Sequence, residues 1–282
     1  MKFRLNGKEF DNQKDYRKAL RESEDRDNAY EPWSEEEESE LEELSEEDVM
    51  SITELADHLK RTELGIISRL TKLSPSCEIR THYYENDLKQ SEGFYRNNLL
   101  RYETRWYENG QIKSQGDYEQ YDEDDEAYAE GNWSEWYDSG QEKTEIRYKT
   151  GSSSILPLLT VEWYENGQKK LEESFKTDKI EEWYENGKKK LEGQYDENLF
   201  IDGQFNDWGS YNRGEGRFKE FFRKGKWTQW YENGNKKIEG SYAFDNDLYE
   251  VDRIHAAKVG EWTEWFENGQ IKIIIDFTEK PF

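Results

Sequence analysis

The side chains best suited to chemistry are few and far apart. Three histidines, His58, His82 and His255, are scattered along 282 residues with a single cysteine, Cys77. A zinc site needs Cys and His at short, paired spacings, which this set does not provide. No glycine-rich loop opens a helix to cradle phosphate, and no serine elbow presents a nucleophile. The densest charge is the run Asp122, Glu123, Asp124, Asp125 and Glu126. It could collect a divalent cation, but it lacks the spaced ligands and turn glycine of a calcium loop, and charge runs usually stay wet. Glu165 and Glu185 occupy equivalent places in a repeat, which suits hairpin ends better than paired catalytic carboxylates. The expectation is no catalytic residue, no cofactor and no metal, so not an enzyme.

What the chain has in place of a reactive centre is repetition. WYENGQKKLEESF from Trp163 is restated as WYENGKKKLEGQY from Trp183, WYENGQIKSQGDY from Trp106, WYDSGQEKTEIRY from Trp136, WYENGNKKIEGSY from Trp230 and WFENGQIKIIIDF from Trp265. A worn copy, YYENDLKQSEGFY, begins at Tyr83, and an eroded one is expected around Trp208, with Gly214 near its turn, making eight units. Repetition at this spacing marks an array in which each unit buries its face against its neighbours. The longer spacings place insertions at YEQYDEDDEAYAEG, SSSILPLLT and AFDNDLYEVDRIHAAK.

Asn-Gly between strand-favouring runs predicts hairpins with turns at Asn109-Gly110, Ser139-Gly140, Asn166-Gly167, Asn186-Gly187, Asn233-Gly234 and Asn268-Gly269. With a two-residue type I′ loop, Tyr164 faces Lys169, Trp163 faces Lys170 and Glu162 faces Leu171. Alternation then puts Tyr164, Leu171 and Phe175 on one face, and Trp163 beneath the stem of Lys170, near Glu172, on the other. The recurring glycines Gly116, Gly193 and Gly240, at the eleventh position counted from the leading Trp, leave room for a ring to pass close to the backbone.

Composition agrees with a thin, aromatic sheet. There are 65 acidic against 40 basic side chains, a formal charge of −25, and only 33% hydrophobic residues, too polar for one thick core. Eleven Trp, 19 Tyr and 13 Phe set it apart from a disordered composition. One cysteine excludes an intramolecular disulfide and suits a reducing compartment. No signal peptide and no apolar run long enough for a membrane span are visible, so a soluble cytoplasmic protein is expected.

The first part of the chain is different. Residues 1–30 suggest a small hairpin, KFRL-NG-KEF, and a short helix, NQKDYRKALRES. Residues 31–77 read as three helices, with capping boxes at Ser34/Glu37 and Ser51/Glu54, Thr62 as a third cap and Pro75 at the exit. PWSEEEESEL followed by ITELADHLKRTELGIISRL resembles small Myb-like or helix-turn-helix modules. That resemblance implies DNA contacts from Arg61, Thr62, Ser68, Arg69 and Lys72. Charge argues the other way, because residues 1–80 hold 13 basic and 22 acidic side chains, and nucleic-acid affinity rests largely on neutralising phosphate.

From residue 80 to 282, W-Y-E-N-G preceded by G-x-W-S/T-E/Q at Gly131, Gly225 and Gly260 resembles the MORN-variant repeat and the YwqK-like antitoxin family. The fold expected is mainly β, an elongated antiparallel sheet of repeated hairpins with a small N-terminal helical module. The resemblance implies a non-catalytic, protein-binding array that neutralises a bacterial toxin, and the acidic surface points to a basic one. The candidate anchors are the unit-starting rings Trp106, Trp136, Trp163, Trp183, Trp230 and Trp265. The competing readings are a DNA-binding regulator acting through the helical module and a structural MORN-type scaffold. The net negative charge argues against docking on anionic lipid.

Overall fold

The computed structural model describes residues 3–5, 8–10, 28, 31–46, 50–120, 127–148, 157–174, 176–195, 223–244 and 256–277. The N-terminal helix expected near residues 11–22, Phe175, the acidic run 122–126, the unit around Trp208 and most of the three insertions lie outside these residues. The chain is mainly β. Strands β1 (Phe3–Leu5) and β2 (Lys8–Phe10) form a small antiparallel hairpin. Three helices follow: α1 (Glu35–Glu46), α2 (Ile52–His58) and α3 (Glu63–Leu73).

Then come fourteen strands that neighbour one another in strict chain order. They are β3 (Cys77–Tyr83), β4 (Lys89–Arg96), β5 (Leu99–Trp106), β6 (Ile112–Glu119), β7 (Tyr128–Trp136), β8 (Glu142–Tyr148) and β9 (Pro157–Trp163). The series continues with β10 (Lys169–Ser174), β11 (Lys179–Trp183), β12 (Lys189–Tyr195), β13 (Arg223–Trp230), β14 (Lys236–Phe244), β15 (Ala256–Trp265) and β16 (Ile271–Asp276). The chain divides into two compact units, one of residues 1–140 with 146–156 and the other of 141–145 with 157–282.

The helices form where their caps predict. Ser34 and Glu37 exchange backbone bonds, Ser51 and Glu54 do the same ahead of α2, and the Thr62 hydroxyl accepts from the Gly65 N–H ahead of α3. Their apolar stripes, Leu41, Ile52, Leu55, Ala56, Leu59, Ile66, Ile67 and Leu70, share one core with Cys77, Phe94 and Tyr102 of the first strands. The helical segment and the first hairpins therefore bury a common core, with no break near residue 77. A sheet carboxylate pins the junction: Asp117, 1% exposed on β6, accepts from the Thr53 N–H at the start of α2 at 3.2 Å.

The hairpins form at the expected dipeptides, but their loops are one residue longer than a type I′ turn. Gly167 N–H donates to Tyr164 O at 2.9 Å and Tyr164 N–H to Gln168 O at 2.8 Å, so Glu165, Asn166 and Gly167 make a three-residue loop. Only the glycine has positive φ, +80° at Gly167, and Asn166 is not left-handed. This is a type I turn closed by a left-handed glycine. The register moves accordingly. Trp163 pairs with Lys169, and Lys170 is the extra residue of a bulge before Leu171. A true two-residue turn of left-handed residues joins β4 to β5 at Asn97-Asn98, φ 51° and 66°, where the sequence shows no glycine. Strands β12 and β13 pair directly.

Candidate functional site

The repeated unit is explained by bonds between neighbouring hairpins. In each complete link the Tyr after the leading ring donates its hydroxyl to the backbone oxygen of the next leading residue. In the first unit Tyr84 reaches Trp106 O at 2.7 Å and Tyr107 reaches Trp136 O at 2.8 Å. In the second unit Tyr164 reaches Trp183 O, Tyr184 reaches Trp230 O and Tyr231 reaches Trp265 O, at 2.8–3.0 Å. The turn asparagine has two tasks. Its Oδ1 accepts from the backbone two residues on, and its Nδ2 donates across to the next turn, as Asn166 does to Glu185 O at 2.9 Å and Asn233 does to Glu267 O at 2.7 Å.

All six leading tryptophans, Trp106, Trp136, Trp163, Trp183, Trp230 and Trp265, are half-buried. The lysine that covers an indole comes from the preceding hairpin, and not from the same one as the two-residue loop would require. Lys89 lies 5.5 Å from the Trp106 ring, Lys169 5.5 Å from Trp183, Lys189 5.9 Å from Trp230 and Lys236 5.6 Å from Trp265. The bulge causes this, because it turns the seventh residue of the unit onto the Trp face and the eighth onto the opposite one. The eighth-position lysines there meet Glu162 and Glu182, at 2.8 and 2.9 Å.

Carboxylates hold the covering ammonium groups in place. Lys169 pairs with Glu172, Lys236 with Glu239, and Lys189 with both Glu181 and Glu192 at 2.6 and 2.7 Å. Burial works against the Lys189 charge, but the two glutamates outweigh it and hold its pKa above the ordinary value. Burial likewise disfavours the Glu239 charge, yet Lys236, Lys226 and Thr228 hold that carboxyl below its usual range. The result is a face on which Trp106, Trp183, Trp230 and Trp265 are each roofed by a cation within an ion-pair network, an arrangement suited to binding.

The opposite face is a packing layer. Trp227 and Trp262, each 4% exposed, lie flat on Gly193 and Gly240, where an added Cβ would come within 2.3 and 2.1 Å of the rings. In the first unit Trp133 treats Gly116 the same way. Gly131, Gly225 and Gly260 precede these rings with φ of 56–64°, bulging the strand so that the indole tips onto the neighbouring hairpin. Tyr195, Trp227, Tyr242, Trp262 and Phe277 meet edge to face in sequence, at centroid distances of 4.9–6.5 Å. The G-x-W motif and the eleventh-position glycine were the sequence signs of this second tryptophan set. The lysine roof had no comparable sign, because it depends on the bulge.

The residues singled out for DNA are spent largely on the helical fold. Arg61, 3% exposed, donates to Glu31 O, Pro32 O and both oxygens of Glu37, and lies 4.4 Å from the Trp33 ring. Arg69 pairs with Glu38 and also approaches Trp33, while the Thr62 hydroxyl is the α3 cap. Ser68 and Lys72 stay exposed. Ser68 borders a cleft of about 240 Å³ between α3 and β3–β5, with Leu64, Ile67 and Tyr102. Of the chemistry-bearing residues, His58 pairs with Glu40 at 2.8 Å, Ser91 bonds His82, Cys77 is buried, and His255 lies outside the described residues. Among the described residues, no three His, Cys, Asp or Glu side chains converge as metal ligands, and no helix is long and apolar enough to cross a membrane.

Five segments, residues 102–124, 159–177, 179–197, 223–243 and 258–279, match the MORN repeat variant. Each contains one leading tryptophan with its hairpin, and together they support a repeat-based binding or scaffold role. No curated protein gives a significant match. Among solved structures the chain is similar to the GtfA/B complex bound to UDP and GlcNAc, at 12% identity with a TM-score of 0.20. That similarity covers 49% of this chain and spans 28% of the other.

Proposed function

We propose that the chain is a non-catalytic protein-binding array whose Trp-bearing face in the second unit receives a protein partner. The observation that carries the reading is a contrast between the two units. In the first, the face that bears Trp106 also carries Phe94 and Tyr102, and α2 and α3 of the same chain cover it. In the second, the described elements are all strands, and the equivalent face presents half-buried Trp183, Trp230 and Trp265 framed by Lys and Glu. Aromatic anchors ringed by charged groups suit an interface in which the rings supply affinity and the charges set orientation.

Within that reading the partner is a basic bacterial toxin, and the chain is its antitoxin. The resemblance to the YwqK-like family supports this, as does the −25 charge, which speeds encounter with a cationic protein. The work is done by occlusion, without an enzymatic step. The test is affinity capture from the native host with the wild-type chain and with Trp183→Ala and Trp230→Ala, followed by co-expression of the captured protein. The expected result is a toxic partner whose growth arrest the wild-type chain relieves, and which the variants bind weakly while still folded. If every folded Trp variant captures as well as wild type, the binding face is refuted. A captured partner that is harmless refutes the antitoxin assignment alone.

A further inference from the structure

Strand β16, at the end of the order of described strands, breaks the pattern of the repeat. It is the outermost strand, and among the described residues nothing pairs with its outer edge. The tenth position of every other described unit is polar, being Glu92, Gln115, Glu145, Glu172, Glu192 or Glu239, whereas here it is Ile274. Ile271, Ile273, Ile274 and Ile275 are 58, 44, 50 and 38% exposed. Proteins ordinarily protect a free edge with charge, proline or a bulge that turns it away. A six-residue edge with four exposed isoleucines is the opposite arrangement, and it marks a surface that is covered in use.

The geometry selects the occupant. Phe277 N–H donates to Gly260 O at 2.8 Å, which turns Ile275 and Ile273 toward β15 and leaves the N–H and C=O of Ile274 and Asp276 on the outer side. We propose that β16 pairs antiparallel with β16 of a second copy of this chain, about a twofold axis through Ile274. In that register Ile274 meets its own equivalent and Ile273 meets Ile275 twice. Lys272 comes level with Asp276 at both ends. Moving the axis to Ile273 or Ile275 would instead set a charged residue against Ile274 in both copies. The strand is thus complementary to itself in one register only, which is what an isologous interface requires.

Head-to-tail growth from this edge is disfavoured by a second substitution. The slot filled by tyrosine in the earlier units is Phe266, so the hydroxyl that would reach a following hairpin is missing. The side-chain amide of Asn268 also turns inward, to Gln270 Oε1 at 3.2 Å. A closed dimer needs neither group. One strand pair buries little area, so the dimer is a reversible, concentration-dependent one.

Sedimentation velocity of the full chain across a concentration series tests this, with Ile274→Glu restoring the residue type of the other units. Wild type is expected to shift from monomer to dimer, and Ile274→Glu to raise the dissociation constant by more than about tenfold with an unchanged melting curve. Lys272→Asp should weaken the dimer, and adding Asp276→Lys should restore it, a rescue that a general loss of folding would not give. A wild-type chain that stays monomeric at its solubility limit overturns the proposal. So does a dimer indifferent to Ile274→Glu, or growth beyond the dimer.

Discussion

Replacing Gly240 with alanine tests the packing layer on which the array rests. Gly240 is not left-handed, so alanine meets no backbone penalty, and its lower unfolded-state entropy alone would stabilise the strand by about 0.5–1 kcal/mol. Sterics point the other way. The new Cβ would lie 2.1 Å from Trp262 Cδ2 and 2.2 Å from Cε2, whereas carbon atoms pack at about 3.5–4.0 Å, so ring or strand must yield by roughly 1.5 Å. The ring is held by its N–H bond to Ser241 O at 3.1 Å and by edge contacts to Tyr242 and Phe277. Overpacking costs about 2 kcal/mol and a strained hydrogen bond about 1, for a net loss of roughly 2 kcal/mol after the entropy gain. Thermal unfolding followed by tryptophan fluorescence should show a midpoint lower by about 4–8 °C, the scaling for a unit of this size. In a Trp262→Ala background the same change should become neutral or stabilising, because the clash is gone. A Gly240→Ala protein as stable as wild type would refute the reasoning.

Three further predictions follow from the contacts. Tyr184→Phe removes the 2.8 Å bond to Trp230 O and should cost about 1 kcal/mol in urea unfolding, without altering the β-sheet circular dichroism. Asp117 is pushed up to about 7 by burial, against the opposing bonds from Thr53 and Ser51. A raised carboxyl pKa means the folded state holds the proton more tightly than the unfolded one. Wild type should therefore lose stability relative to Asp117→Asn as pH rises from about 4 to about 7, by roughly 4 kcal/mol at the outside, and the gap should then level off; a flat difference in melting temperature would contradict this. Arg61→Ala should cost roughly 2–3 kcal/mol, less than a fully buried pair because Glu37 keeps contact with water, whereas exposed Lys72→Ala should stay within about 0.5 kcal/mol.

Local chemistry made much of this fold legible. The six Asn-Gly and Ser-Gly dipeptides each located a hairpin, though not the one turned at Asn97-Asn98, and the Ser, Glu and Thr caps located α2 and α3, because those signals act over three or four residues and need no tertiary context. The loop length did not follow from the same signal. Asn-Gly serves a two-residue loop when both residues are left-handed and a three-residue loop when only the glycine is. The Asn268-Gly269 hairpin makes the same three-residue loop while its asparagine turns to Gln270, so the loop is set within the hairpin, and it leaves Asn166 free to bridge to Glu185 O of the next turn. That contact lies between units and has no trace in one unit read alone. The error of one residue moved each roofing lysine from its own indole to the next. Arg61, named for DNA contact by the helix-turn-helix resemblance, bonds Glu37 of the glutamate-rich α1, a contact between helices that no local signal marks.

The two tryptophan sets divide the demands on a sheet whose described elements in the second unit are all strands. Trp227 and Trp262 do what a second layer would do elsewhere, since each covers the glycine of the adjacent hairpin and passes its contacts along the edge-to-face row. Leading rings such as Trp183 and Trp230 are left half-exposed, held from beneath by the tyrosine–carbonyl bonds and from above by lysine. Because these bonds run between hairpins, stability spreads as nearest-neighbour couplings, and an anchor ring can be cut without unfolding distant units. Removing Trp183 should therefore loosen its own hairpin and that of its roofing Lys169, while the Trp227–Trp262 row keeps its melting behaviour. Hydrogen exchange resolved by strand measures this directly, and a uniform loss of protection across β9–β16 would mean that the leading tryptophans belong to the core and are not available to a partner.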